Sequence, residues 1–342
     1  MFQTFEGRTA DEVWLKISGA FRNGRTAVQP SRAGQTRELL RAAIGIAHPT
    51  ERWVFSRTPP LNVAFALAEV LWMLAGRNDS AFLNAFNSQL PKFAGAGRTY
   101  DGAYGLRLRS HFRFDQLHRA YQALRRRPES RQVVLQIWDP RSDMPTRTGG
   151  ARSHDVPCNL LSMVKVRNHR VEFTQVVRSN DVFRGLPYNL VQFTSIQEVL
   201  AGWLDLDVGG YAQLSDSLHV YESDFRVAVT PQRTASAPVN SDTLAVPYRT
   251  TQAAVRLVTG LADDVIAGRS SPEQMLRALG FARVPLAFKN IGAVLCAELA
   301  RRRGPAGTWR AAMSECTNPA LVALWTRWNS CIERSRRTRR AA

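Results

Sequence analysis

Pro157-Cys158-Asn159, then Arg178-Ser179-Asn180-Asp181, then Gly185-Leu186-Pro187-Tyr188-Asn189, then His219-Val220-Tyr221 are the stretches from which the fold and chemistry of this chain are read. Within 65 residues they supply a nucleophilic thiol, a guanidinium fork with a hydroxyl beside it, a side-chain amide and an imidazole–phenol pair. Each type suits one part of a pyrimidine nucleotide. Arg178 and Ser179 offer N–H and O–H donors matched to phosphate oxygens. The Asn189 amide carries both a donor and an acceptor and can pair with O4 and N3–H of uracil. Read by itself, an Asn at the head of a helix could equally be a cap. His219 and Tyr221 are two apart on an expected strand, so they share a face and can reach a sugar hydroxyl. Cysteine suits addition to C6 of the ring, because a thiolate is strongly nucleophilic and also leaves readily. An arginine nearby favours that thiolate.

Around these stretches the chain alternates in a way that predicts strands and helices. Gln132–Trp138, Leu160–Val166, Val171–Ser179 and Gly209–Tyr221 read as strands, with Arg167–Arg170 as a hairpin turn. Glu6–Arg22, Asn62–Gly76, Phe112–Arg127 and the apolar Tyr188–Leu204 read as helices, and Ser31–Glu38 as a polar loop. Arg141–Val156 reads as an exposed loop. Thr251–Gly268, Ser271–Leu279, Pro285–Arg303 and Thr308–Arg334 read as helices of a C-terminal region. The expected organisation is a catalytic domain over 1–229, a Pro- and Thr-rich connection over 230–249, a helical region over 250–333 and a disordered basic tail over 334–342.

Composition bounds the partners. A chain of 342 residues with 44% hydrophobic residues can bury a large core. The apolar runs Leu61–Leu74 and Ile291–Ala300 are too short to cross a bilayer, and Met1–Ala20 has acidic residues and no continuous apolar block. A cytoplasmic protein without a membrane segment is expected. The cysteines at 158, 296, 316 and 331 form no C-x-x-C pair and no zinc-type cluster with histidine, so no metal site is expected. The net charge of +18, mostly arginine, and the Arg334–Arg340 run are compatible with a nucleic-acid partner.

The order and spacing of Cys158, Arg178, Asp181, Asn189, His219 and Tyr221 resemble the thymidylate synthase superfamily, which includes the pyrimidine nucleotide hydroxymethylases. The match runs most clearly from Ser130 to Tyr221 and extends back to Arg32. It implies an α+β fold, with a large mixed sheet backed by helices, assembled as a homodimer. It also implies a pyrimidine nucleoside monophosphate as substrate and 5,10-methylenetetrahydrofolate as cosubstrate. By resemblance Cys158 is the nucleophile, Glu69 organises water and proton transfers, Tyr104 sits near the C5 proton and Asp181 orients the folate. Arg32, Arg131 and Arg178 with Ser179 are phosphate ligands, Arg131 reaching the partner subunit's site; Gln132 stands where a second such arginine is usual. Asn189 selects uracil, and His219 and Tyr221 hold the sugar. Trp138-Asp139-Pro140 also fits the family pattern.

Four departures bear on the outcome of the reaction. Asn159 replaces the usual histidine after the nucleophile, and Val177 the usual glutamine before the arginine. Pro91–Arg98 has no tryptophan, and the family's short apolar C-terminal ending is absent. After one-carbon transfer, hydride gives a methyl group and dihydrofolate, whereas water gives hydroxymethyl and leaves tetrahydrofolate. Hydride transfer needs a dry, closed site. A deoxyuridylate 5-hydroxymethylase of the kind that serves phage DNA modification is therefore expected. The alternatives are a thymidylate synthase making dTMP, a dCMP or CMP 5-hydroxymethylase, which Asn189 argues against but Asn159 and the Arg178-Ser179-Asn180-Asp181 run resemble, and a basic nucleic-acid-binding protein.

Overall fold

In the computed structural model, which describes residues 2–24, 26–31, 34–232, 237–304 and 307–341, a seven-stranded mixed sheet forms the centre of the molecule. Its strands are β1 (Gln3–Gly7), β2 (Ala27–Ser31), β3 (Gly34–Ile46), β4 (Val134–Gln136), β5 (Asn159–Arg167), β6 (Arg170–Asp181) and β7 (Asp207–Tyr221). They run in the order β1-β3-β7-β6-β5-β4, with β2 added on β3. The β1–β3 and β6–β7 pairs are parallel and the others antiparallel. The mixed sheet and the helices that back it match the α+β expectation.

Two N-terminal elements differ from the sequence reading. Gln3–Gly7 is a strand, and helix α1 starts only at Ala10, where the Thr9 side chain caps it by accepting from Glu12 N. Ser31 and Gly34 belong to a hairpin rather than a loop leading into an element. At the β5–β6 turn, Asn168 and His169 both adopt positive φ (50° and 61°), the conformation a tight two-residue hairpin needs.

Helix α1 (Ala10–Asn23) and α2 (Val63–Leu74) are followed by α3 (Ser80–Phe86), α4 (Pro91–Ala94) and α5 (Tyr104–Leu106). A π-helical turn at Arg107–His111 leads to α6 (Gln116–Arg126), and α7 (Pro140–Asp143) is a single turn capped by Asp139. Helix α8 (Leu186–Leu204) is almost wholly buried and packs against β6, β7 and α2. Burial explains its apolar composition; its polar residues are those with assigned partners. Gln197, for instance, donates to the carbonyls of Val171, Gly209 and Gly210 where β6 and β7 slip register.

After α9 (Glu222–Ala228) the described residues of 230–247 carry no helix or strand. Then come α10 (Tyr248–Ile266), α11 (Pro272–Phe281), α12 (Leu286–Arg303), α13 (Thr308–Ser314) and α14 (Pro319–Ala341). These helices share one core with the sheet domain, and α10, α12 and α14 pack on α2. Arg302 donates to the Phe86 carbonyl at 2.6 Å and Arg327 to that of Phe55 at 2.6 Å. The arginine-rich end that composition marks as a disordered tail continues α14 as helix to Ala341.

The face of the sheet turned away from α8 carries apolar residues in register. Leu161, Val176, Leu214 and Ala43 lie side by side across β5, β6, β7 and β3, and Leu40 and Val134 are 49% and 46% exposed on the same sheet.

Candidate active site

The C-terminal ends of β6 and β7 meet the start of β5 at one edge of the sheet. Cys158 directly precedes β5, and its carbonyl accepts from Arg178 N at 2.9 Å. In the parallel β6–β7 register Asp181 lies beside His219 and Ser179 beside Ser217. Asn189 sits in the first turn of α8, whose N-cap is Gly185, so it is a residue within the helix and not its cap. Cys158, Arg178, Ser179, Asp181, Asn189, His219 and Tyr221 all line one cavity of about 780 Å³, with Glu69 of α2 and Tyr104 of α5 on the facing wall. The sequence-predicted thiol, amide, carboxylates and sugar-facing pair are therefore brought together.

Of the other two predicted arginines, one is placed elsewhere. Arg131 is exposed and lines a separate cavity of about 690 Å³ beside the β5–β6 turn. Arg32 lies outside the described residues; its neighbours Pro30 and Ser31 line the Cys158 cavity.

Burial tunes the carboxylates. Every other residue of α2 is buried; Glu69 alone keeps some surface, which opens into the cavity. Burial pushes its carboxyl up to about 8, opposed by a hydrogen bond from Gln192. Its Oε2 is out of contact with solvent and has no hydrogen-bond partner among the described residues. Asp181 accepts through Oδ1 from the backbone N–H groups of Phe183 (2.7 Å) and Arg184 (2.6 Å). Its Oδ2 is buried without a partner among the described residues. Burial raises Asp181 despite these bonds and lowers His219 despite the Asp181 charge. Burial, then the neighbouring Cys158, raise Tyr104, while a hydrogen bond with Asn159 lowers it.

Arg178 uses its guanidinium partly on the backbone ahead of the nucleophile. Nε donates to the Pro157 carbonyl at 3.0 Å and Nη2 to that of Val156 at 3.1 Å, leaving Nη1 for the cavity. None of the other three thiols lines it. Burial raises Cys296 to about 12 and Cys316 to about 11; Cys296 lies in α12, Cys316 between α13 and α14, and Cys331 in α14.

Sequence reading missed several residues of this wall. Arg57 is buried, lies 4.0 Å over the Phe183 ring and donates to the Phe183 carbonyl at 2.9 Å. Arg184, bonded to Asp224 at 2.5 Å, stacks over Tyr221 at 4.9 Å and over Phe93 at 5.4 Å, at the cavity wall. Gln192 is three residues beyond Asn189, hence on the same helix face. That spacing was a usable signal; nothing in the local sequence marked Arg57. Asp139 of the Trp-Asp-Pro run is structural: it caps α7 and pairs with His111 at 2.9 Å, outside the cavity.

The family model described as thymidylate synthase matches residues 31–254, which contain Cys158, Glu69, Tyr104, Arg178, Asp181, Asn189, His219 and Tyr221. The chain belongs to the thymidylate synthase family. A deoxyuridylate hydroxymethyltransferase of Bacillus phage SP01 is 32% identical over 71% of this chain and 65% of its own length. A deoxyuridylate hydroxymethyltransferase of Pseudomonas phage M6 is 33% identical over 58% of this chain and 56% of its own. The chain thus covers somewhat less than two thirds of each of these relatives. Among the described residues none beyond Tyr221 lines the cavity, and α10, α12 and α14 pack on α2. No described helix is long and apolar enough to cross a membrane.

Proposed function

We propose that the protein is a deoxyuridylate 5-hydroxymethylase, adding a one-carbon unit from methylenetetrahydrofolate to C5 of dUMP and completing the product with water. The observation that carries this reading is a thiol, an asparagine amide and a buried carboxyl in one cavity that none of the described C-terminal helices lines. The names of the two phage relatives support it.

The residues fit a folate cosubstrate. Asp181 lines the cavity and carries a buried oxygen without a partner among the described residues, an acceptor suited to the N–H donors of a pterin ring. When bound there, methylenetetrahydrofolate supplies the one-carbon unit. The chain's own residues do the rest. Arg178 Nη1 and Ser179 hold the phosphate, with Arg131 of a partner subunit completing the site. His219 and Tyr221 bind the sugar. Cys158 adds to C6, the electron pair moves to C5 and O4, and the Asn189 N–H stabilises the charge that develops on O4. Glu69, neutral near pH 7, gives and takes protons through water at the base. After the C5 proton is lost and water adds to the transferred carbon, elimination of the Cys158 thiolate from C6 restores the C5–C6 double bond and releases the product.

The homodimer is proposed to form through the apolar sheet face centred on Leu214 and Val176. A methyl-producing reaction is the second reading, favoured by the family match itself. Incubation with dUMP and methylenetetrahydrofolate decides between them, with the nucleotide read by mass spectrometry and dihydrofolate by absorbance. Hydroxymethyl-dUMP without dihydrofolate supports the hydroxymethylase. dTMP with stoichiometric dihydrofolate replaces it with a thymidylate synthase, and turnover of dCMP in preference to dUMP defeats the uracil assignment.

A further inference from the structure

Behind Asn189 runs a directed chain of buried hydrogen bonds. Ser162 Oγ donates to Gln175 Oε1 at 2.5 Å, and Gln175 Nε2 donates to Asn159 Oδ1 at 2.9 Å. Asn159 Nδ2 donates to Asn189 Oδ1 at 3.4 Å, and Asn189 Nδ2 to Asn180 Oδ1 at 3.2 Å. Asn180 Nδ2 then donates to Ser215 Oγ at 3.3 Å. Ser162, Gln175 and Asn159 are 0% exposed, Asn180 and Ser215 1% and Asn189 7%. Every amide in the run therefore points the same way, oxygen toward Ser162 and nitrogen toward Ser215.

A side-chain amide has two N–H donors and an oxygen with two lone pairs. The relay engages one donor and one lone pair of Asn189 and leaves one of each for the cavity. An uracil edge, with O4 accepting and N3–H donating, fits one orientation of that amide. A cytosine edge, with an amino group donating and N3 accepting, fits the same amide turned by 180°. Turning Asn189 alone would set its N–H groups against those of Asn159 and its oxygen against that of Asn180. Two buried bonds would be lost and two like-polarity contacts made. A turn that keeps every bond requires all four buried amides to rotate together in a packed interior.

We propose that Gln175 is a specificity-positioning residue: through Asn159 it holds the Asn189 amide in the orientation that accepts uracil and rejects cytosine. Gln175 and Asn159 are not among the cavity-lining residues; Asn159 touches the cavity wall at Asn189 and at Tyr104, and of these Asn189 is the one that reads the base edge. The inference rests on the uracil reading above and adds to it the device that enforces the choice. It also gives Asn159, which follows the nucleophile directly, a role in base selection.

The test is equilibrium binding of dUMP and dCMP, without folate, to wild type and to Gln175→Met, a substitution of similar volume that removes the donor to Asn159. The expected result is a preference for dUMP in wild type that falls about tenfold or more in the variant, the worth of one buried hydrogen bond. Competition by inorganic phosphate should be unchanged. A general loosening of the core would weaken both nucleotides alike and leave their ratio intact; that result overturns the proposal. Ser162→Ala, which releases the far end of the relay with a smaller volume change, is measured beside it. It should lower the ratio in the same direction, and if Gln175→Met does not fold, an unchanged ratio in Ser162→Ala overturns the proposal alone. Equal affinity of wild type for dUMP and dCMP would defeat the uracil reading itself. A wild-type preference with unaltered variants would defeat only the relay.

Discussion

Arg178 and Cys158 are tied together twice. The Arg178 backbone N–H donates to the Cys158 carbonyl at 2.9 Å, and its side-chain Nε donates to the carbonyl of Pro157, the residue before the thiol, at 3.0 Å. One arginine thus fixes the backbone on which the nucleophile sits while turning its remaining N–H groups to the cavity. Lysine keeps the charge but has no planar fork with which to do both. Arg178→Lys is expected to lower kcat/KM for dUMP by about tenfold to a hundredfold, the worth of one charge-assisted hydrogen bond. The loss should appear in kcat as well as KM, because the thiol's position is disturbed too. Steady-state kinetics checks this; a pure KM effect would mean that the arginine binds phosphate and does not position Cys158.

Much of the site was legible because its residues fall on regular elements. Asp181, His219 and Tyr221 are placed by strand register, and Asn189 by the first turn of an apolar helix, so spacing alone puts them at one edge of the sheet. What was not legible depends on packing between distant segments. Arg57 reaches the wall from a loop without periodic structure. The 3–7 strand resembles the lead-in to the first helix because Glu6 and Gly7 break its short apolar pattern. The packing of α10, α12 and α14 on α2 follows from the burial of α2 on nearly every side, which sequence reports only as high apolar content.

Glu69 gives the molecule a stability that depends on pH. Burial lifts its carboxyl from the ordinary 4.5 to about 8. Below pH 4.5 folded and unfolded chains both hold the proton, and the contribution is fully present. Between 4.5 and 8 the unfolded chain loses that proton while the folded chain keeps it. Stability therefore falls with rising pH, at a limiting slope of about 1.4 kcal/mol per pH unit for one proton. Glu69→Gln should remove this component. Urea unfolding of both proteins from pH 5 to 8 should show wild type losing ground to the variant as pH rises; parallel curves would show that the carboxyl ionises normally.

Glu198, on the far half of the helix that carries Asn189, ties the connection over 230–247 to the sheet domain. Its buried carboxylate pairs with Arg52 and also accepts from Leu244 N at 2.9 Å and from the Thr243 hydroxyl at 3.1 Å. Removing it leaves the Arg52 guanidinium buried without its carboxylate. Glu198→Ala is expected to cost about 3–5 kcal/mol, the range for breaking a buried pair on one side. Because the C-terminal helices share one core with the sheet domain, denaturant unfolding of the variant should remain a single transition at lower midpoint. Two transitions would mean that the helical region folds on its own.

Arg131 separates a site built within one chain from a site shared between two. It is exposed and lines a different cavity from Cys158, as expected of a residue that serves the partner's phosphate. Arg131→Ala and Cys158→Ser should each be nearly inactive. Unfolded together in equal amounts and refolded, half of the dimers would be mixed, and each of these would hold one site with an intact thiol and an intact arginine. Activity should then return to about a quarter of the wild-type level under random two-fold pairing. Refolding each variant alone should restore nothing. If the mixture stays inactive while size-exclusion chromatography shows dimers, Arg131 does not act across the interface, and its exposed position is that of an ordinary solvated arginine.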